Sequence, residues 1–193
     1  MPKNRLILDV AKTWDGRPIA FDERVMLTLE ATDAGLRVCI DAPFYGDPPP
    51  PGPPGSTDRL WEFEVVELFL AGCTETDGDH VPYIEIELSP HGHHLVLRLE
   101  GVRRVVETGL ELNYEAEIEG DTWQGIAIVP WAYLPAGALS ANAYALCGAG
   151  RKRRYLAMVP VPGSRPDFHQ PAVFQRLPIG RRSPSRRGGA VDP

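Results

Sequence analysis

The chain has 193 residues and a mass of 21.3 kDa, enough for one domain with a two-layer core. Its 43% hydrophobic and 24% charged residues are ordinary for a globular protein, and twenty prolines with nineteen glycines suit short strands joined by turns. A net charge of −6 argues against nucleic acid as the main partner, because phosphate contacts need a basic surface; no apolar run approaches the roughly 20 residues of a membrane span.

The short apolar run at residues 6–8 is too brief for a signal-peptide core. Cys39, Cys73 and Cys147 are odd in number and lack C-x-x-C spacing, which predicts a reducing, cytoplasmic setting without a disulfide framework. From residue 180 onward, four arginines face one aspartate, so this end carries +3 and the rest −9. Residues 180–193 are expected to be a disordered basic tail, and residues 1–179 a single domain.

Residues 5–10 alternate weakly and predict an edge strand, followed by a turn at residues 14–18. Val25, Leu27 and Leu29, then Leu36, Val38 and Ile40, flank Asp33-Ala34-Gly35 and predict a hairpin. Residues 47–55 hold six prolines and two glycines. Proline cannot donate to a ladder, so this segment must leave the sheet and is read as a stiff connector.

Residues 60–70 read Leu-Trp-Glu-Phe-Glu-Val-Val-Glu-Leu-Phe-Leu, a strand that would align Trp61, Phe63, Val65, Glu67 and Phe69 on one face. Glu67 is the anomaly there, because burying an unpartnered carboxylate is costly. Two further strands follow around Ser89-Pro90-His91-Gly92, whose Pro and Gly positions fit a four-residue type I turn. That register sets Ile86 opposite Leu95 and Ile84 opposite Leu97 on the core face. It places Glu87 against His94, Glu85 against Val96, and Tyr83 against Arg98 on the other.

Residues 102–106, 114–118 and 123–129 predict three more strands, the last ending in the proline-bounded corner 130–135 around Trp131. Residues 144–147 and 155–159 flank the basic turn 151–154, and a closing strand falls near 176–179. Between them, Phe168-His169-Gln170-Pro171 with Phe174 reads as a buried aromatic latch with His169 hydrogen-bonded. About nine or ten short strands without helical periodicity predict an all-β, antiparallel two-sheet sandwich.

The tract at residues 60–70 resembles the signature of carbohydrate-binding modules of family 9, and of the wider DOMON-like sandwich group. Residues 83–92, the Trp123…Pro130-Trp131…Leu134 segment and the Phe168-His169-Gln170-Pro171…Phe174 ending fit the same pattern. The resemblance covers residues 58–179 and is nearest to a cytosolic branch carrying the Leu-Trp-Glu-Phe-Glu-Val-Val-Glu and Ser-Pro-His-Gly motifs. It implies aromatic platforms for a sugar face and fixed polar groups for the hydroxyls. On that match Trp61 is the platform and Glu67 the carboxylate, with Trp131 or Tyr155 as the second aromatic.

The ligand-binding set expected from these readings is Trp61, Glu67, Glu85, Glu87, Arg98, Trp131 and Tyr155. His91, His93 and His94 form a cluster that suits a hairpin surface, and metal ligation there would need Glu87 or His169 as a further ligand. No cofactor is predicted, haem at Met158 and His169 has no supporting motif, and metal binding stays open. The sequence favours a non-catalytic module for a small polar or glycan-like ligand. The alternatives are a hydrolase or metal-assisted enzyme using Glu67, His91 or His169, and a protein-interaction module using the Pro-rich loop.

Overall fold

The computed structural model describes residues 5–73 and 80–178. The expected basic tail therefore lies outside the described residues. Among the described residues thirteen strands, two of them of only two residues, form two antiparallel sheets, as the alternating pattern predicts.

The five-stranded sheet runs in the order β1 (Arg5–Val10), β3 (Val25–Ala31), β4 (Gly35–Pro43), β10 (Thr122–Pro130) and β9 (Asn113–Glu119). The larger sheet runs in the order β2 (Lys12–Thr13), β12 (Arg154–Ala157), β11 (Ala138–Cys147), β5 (Val65–Cys73), β6 (Pro82–Leu88), β7 (His94–Glu100) and β8 (Val105–Thr108). The short β13 (Gln175–Arg176) pairs beside it on β11. The expected edge strand is β1. Short outer strands such as β2 and β8 blunt the edges of the larger sheet.

Period-two alternation divides the buried side chains into two bodies. Leu27, Leu29, Val38 and Ile40 of the small sheet meet Val66, Leu68, Ile84, Ile86 and Val96 of the large one, forming the main core. A second cluster lies on the opposite face of the large sheet, where Phe69, Tyr83, Leu95, Leu97 and Tyr144 are covered by Leu60, Val161 and Phe168. A fully buried leucine contributes about 1.5–3 kcal/mol in either body.

Three sequence expectations are corrected. The strand does not begin at Trp61: residues Leu60–Glu62 form a 3-10 turn, preceded by Arg59 in the left-handed region at φ 57°, and β5 starts at Val65. The hairpin register is one residue away from the expected one. Ile86 faces Val96, Glu85 faces Leu97, and Ile84 faces Arg98. The cause is the turn: the Gly92 N–H donates to Ser89 O at 3.1 Å, the Ser89 N–H reaches one residue further to His93 O at 2.9 Å, and Gly92 stands at φ 80°. This is a type I turn followed by a left-handed residue, one residue longer than a four-residue turn. A one-residue slip exchanges the faces of the whole strand.

The exchange moves His94 and Arg98 to the Leu88–Ile84 face and brings Leu95 and Leu97 beside the glutamates. His93 and His94 are buried, not surface residues of the hairpin. His93 Nδ1 lies 2.8 Å from the Thr57 hydroxyl, and His94 Nε2 accepts from the Leu112 N–H at 3.2 Å. The Pro-rich segment leaves the sheet as expected. It is tied back by the His94 N–H, which donates to Gly55 O at 3.0 Å.

Candidate functional site

The outer face of the large sheet carries three buried glutamates. Glu67 on β5 pairs directly with Glu87 on β6, and Glu85 shares the Glu87 face two residues earlier, opposite Phe69. Like charges facing one another across a ladder are destabilising. One oxygen from each of the three lies within 4.8 Å of the others, and all three side chains are buried.

A structural explanation for a buried glutamate exists elsewhere in the same chain. Glu64, also buried, accepts from the Tyr45 N–H at 2.9 Å and the Asp47 N–H at 3.3 Å. The triad has no such arrangement. Both Glu87 oxygens and Glu85 Oε2 are buried without a hydrogen-bond partner. Burial pushes Glu85 up to about 8, partly offset by the charge of Arg103. Burial, and then the Glu85 charge, raises Glu67 well above the usual carboxylate range. Glu87 is raised in the same direction by burial and then by Glu67 and Glu85.

Above the triad opens a cavity of about 360 Å³ whose lining includes Trp61, Glu67, Glu85, Arg103, Tyr155 and His169. Trp61 is 40% exposed, so its ring meets solvent at the cavity wall. Arg153 links the two aromatics. Its guanidinium donates to the carbonyls of Trp61 at 2.6 Å and Phe63 at 2.9 Å and lies 5.7 Å from the centre of the Tyr155 ring.

The latch at residues 168–174 closes one side. Phe168 stacks on Tyr144 with centroids 3.9 Å apart, and Phe69 meets His169 edge-on at 5.5 Å and Phe174 at 5.9 Å. His169 Nδ1 sits 2.9 Å from the Tyr83 hydroxyl, which itself accepts from the Arg103 N–H at 3.0 Å. When the Tyr83 O–H donates to Nδ1, the imidazole proton sits on Nε2, 3.8 Å from Glu85 Oε2. Burial, followed by the Arg103 charge, depresses His169 to about 4, so the ring is neutral at pH 7.

The fold brings Trp61, Glu67, Glu85, Tyr155 and His169 to one cavity, with Glu87 joined to it through the carboxylate cluster. It places the other candidates elsewhere. Arg98 lies on the opposite strand face and pairs with Glu107 at 2.7 Å near the edge of the sheet. Trp131 packs against the main core and donates its indole N–H to Thr32 O at 2.9 Å. His91 lies in the turn, with Nε2 3.1 Å from Asp47 O and its ring 5.7 Å from that of Phe44. Sequence reasoning missed Arg103, Asp167 and Arg153. Arg103 enters from a loop with its backbone at φ 59° and is held by Asp167 at 2.8 Å. No periodicity marks a residue placed by a loop.

Two antiparallel sheets packed face to face, with a cavity on an outer face, define an all-β sandwich. A proposed carbohydrate-binding protein from Bacteroides uniformis superposes with a TM-score of 0.63 at 18% identity, covering 90% of this chain and 84% of that one. A family 9 carbohydrate-binding module from Caldicellulosiruptor kristjanssonii, solved with cellotriose, superposes at 0.53 with 14% identity, covering 88% and 80%. At these identities the likeness is one of fold.

No family model matches the chain. Its sequence relatives are closer: the human UPF0462 protein C4orf33 is 41% identical over 169 residues, covering 83% of this chain and 81% of the relative. The mouse homologue is 39% identical over 171 residues, covering 84% and 86%. The chain belongs to the UPF0462 family. No helix among the described residues is long and apolar enough to cross a membrane.

Proposed function

We propose that the outer-face cavity binds one small polyhydroxylated ligand of carbohydrate type, without chemical turnover. The observation that carries this reading is the meeting of an exposed indole, Trp61, with the carboxylates Glu67 and Glu85 in one cavity of about 360 Å³. An apolar ring presents a flat surface to sugar C–H groups, and carboxyl oxygens accept from hydroxyls while a protonated carboxyl can also donate to one. The neutral His169 adds an Nε2–H donor on the Glu85 side. The volume lies at the low end for ligand pockets, which suits one small ligand more than an extended chain. The cellotriose complex of the family 9 module supports the carbohydrate class through its shared fold.

The test is calorimetric titration of the full chain with a panel of mono- and disaccharides, repeated on Trp61→Ala and Glu67→Gln. Binding by the native chain that both substitutions abolish, with their unfolding transitions still cooperative, supports the reading. Binding that both variants retain refutes this site.

A further inference from the structure

The triad at the cavity floor is more than an acceptor for hydroxyls. Three carboxylates converge, one oxygen from each within 4.8 Å of the others, and Glu87, with no exposed surface, has both oxygens buried without meeting any donor. Among the described residues no lysine or arginine reaches any of the three within ion-pair distance. The one nearby base, His169, is 3.8 Å from Glu85. The two arginines near the site are engaged elsewhere: Arg103 pairs with Asp167 at 2.8 Å, and Arg153 donates to backbone carbonyls. Buried charge persists where it is paired or holds a metal.

We infer that Glu67, Glu85 and Glu87 together bind a single hard divalent cation, of the Ca²⁺, Mg²⁺ or Mn²⁺ class, on the floor of the outer-face cavity. The geometry fits: two oxygens on one ion at about 2.3–2.6 Å stand no more than about 5 Å apart, and this cluster falls inside that limit. An all-carboxylate set favours hard cations over Zn²⁺ or Cu²⁺, which prefer nitrogen and sulfur. Three strand-borne side chains supply only part of the six to eight oxygens that Ca²⁺ takes. Glu67 and Glu85 line the cavity, so the remaining positions open to water from that side. They are also open to a hydroxyl pair of a bound ligand, a clause that rests on the reading above; the cation site itself does not.

The experiment uses the full chain, stripped with a chelator and then titrated at pH 8 with Ca²⁺, Mg²⁺ and Mn²⁺ in the absence of sugar. Calorimetry and thermal unfolding read the binding, and the Mn²⁺ signal in electron paramagnetic resonance counts sites. The expected result is one saturable ion per chain and a raised unfolding temperature. Glu87→Gln is expected to weaken binding by more than about tenfold, since even a residue behind a ligand is worth that much. Glu85→Gln serves as a second variant should Glu87→Gln not fold, and Glu62→Gln, on an exposed side chain paired with Arg59, is expected to leave binding unchanged.

No binding in the millimolar range, or equal binding by the native chain and both triad variants, overturns the inference and leaves a proton-sharing cluster. Saccharide binding that survives the chelator would refute the cation bridge alone. Cation binding without any saccharide binding would refute the ligand reading alone.

Discussion

Along β5, Val66, Leu68 and Leu70 face the small sheet, whereas Glu67 and Phe69 face away from it. On β6 the same division separates Ile84 and Ile86 from Glu85 and Glu87. Both faces are equally dry: Ile86 and Glu87, neighbours in sequence, each have no exposed surface. The inner face therefore spends its burial on apolar contact, and the outer face keeps three carboxylates out of water at a cost. A sheet that can be apolar on one side and is ionisable on the other points to use of the second side.

The contrast is broken most severely from the inner face. Leu68→Ala and Ile86→Ala are each expected to lose about 2–5 kcal/mol in urea unfolding, the usual cost of a cavity in a packed core. The outer face should respond with the opposite sign. Glu87→Met at pH 8, without divalent ions, is expected to gain about 1–4 kcal/mol in the same assay, as when buried charges give way to apolar groups of similar volume. The same substitution should abolish cation binding.

The pH dependence sharpens the comparison further. Glu85 is raised to about 8 from 4.5, so it favours the fold fully below pH 4.5 and that contribution is lost as pH rises to 8. His169 is depressed to about 4 from 6.5, so its contribution is complete above pH 6.5 and is lost as pH falls toward 4. Only the carboxyl slope remains between pH 6.5 and 8. The unfolding temperature of the chelated protein is expected to fall across that window and to fall less in Glu85→Gln. A flat profile would mean that the cluster is already ionised in the folded chain across this window.

Smaller effects come from the residues that frame the site. Gly92→Ala must adopt φ 80° and would place its Cβ 3.3 Å from Pro54, so a loss of about 1–2 kcal/mol in urea unfolding is expected. Trp61→Ala removes a partly exposed side chain, and a loss below about 1 kcal/mol is expected alongside complete loss of ligand binding by calorimetry.

The division between the faces was legible in the alternation of residues 65–71 and 83–88, as was the oddity of Glu67 among large apolar neighbours. The register across the next hairpin was not. It depended on whether Gly92 closes a four-residue turn or follows it in the left-handed region, and both use the same four residues. That ambiguity moved Arg98 away from the glutamates and Leu95 and Leu97 toward them. Trp61 reaches the cavity from a 3-10 turn, off the strand that alternation suggested. Arg103 and Asp167 meet across 64 positions of chain, and no local pattern encodes their contact.

The most direct test of the outer face as a binding surface reads the four tryptophans separately. Each indole N–H gives its own resonance in a ¹⁵N-labelled chain, assigned by single Trp→Phe variants, and the spectrum is followed through a saccharide titration with Ca²⁺ present. The account predicts that the Trp61 signal shifts saturably while that of Trp131, bonded to Thr32 O behind the main core, stays in place. A shift at Trp131 with Trp61 unmoved, or no shift at any of the four across the panel, would contradict it.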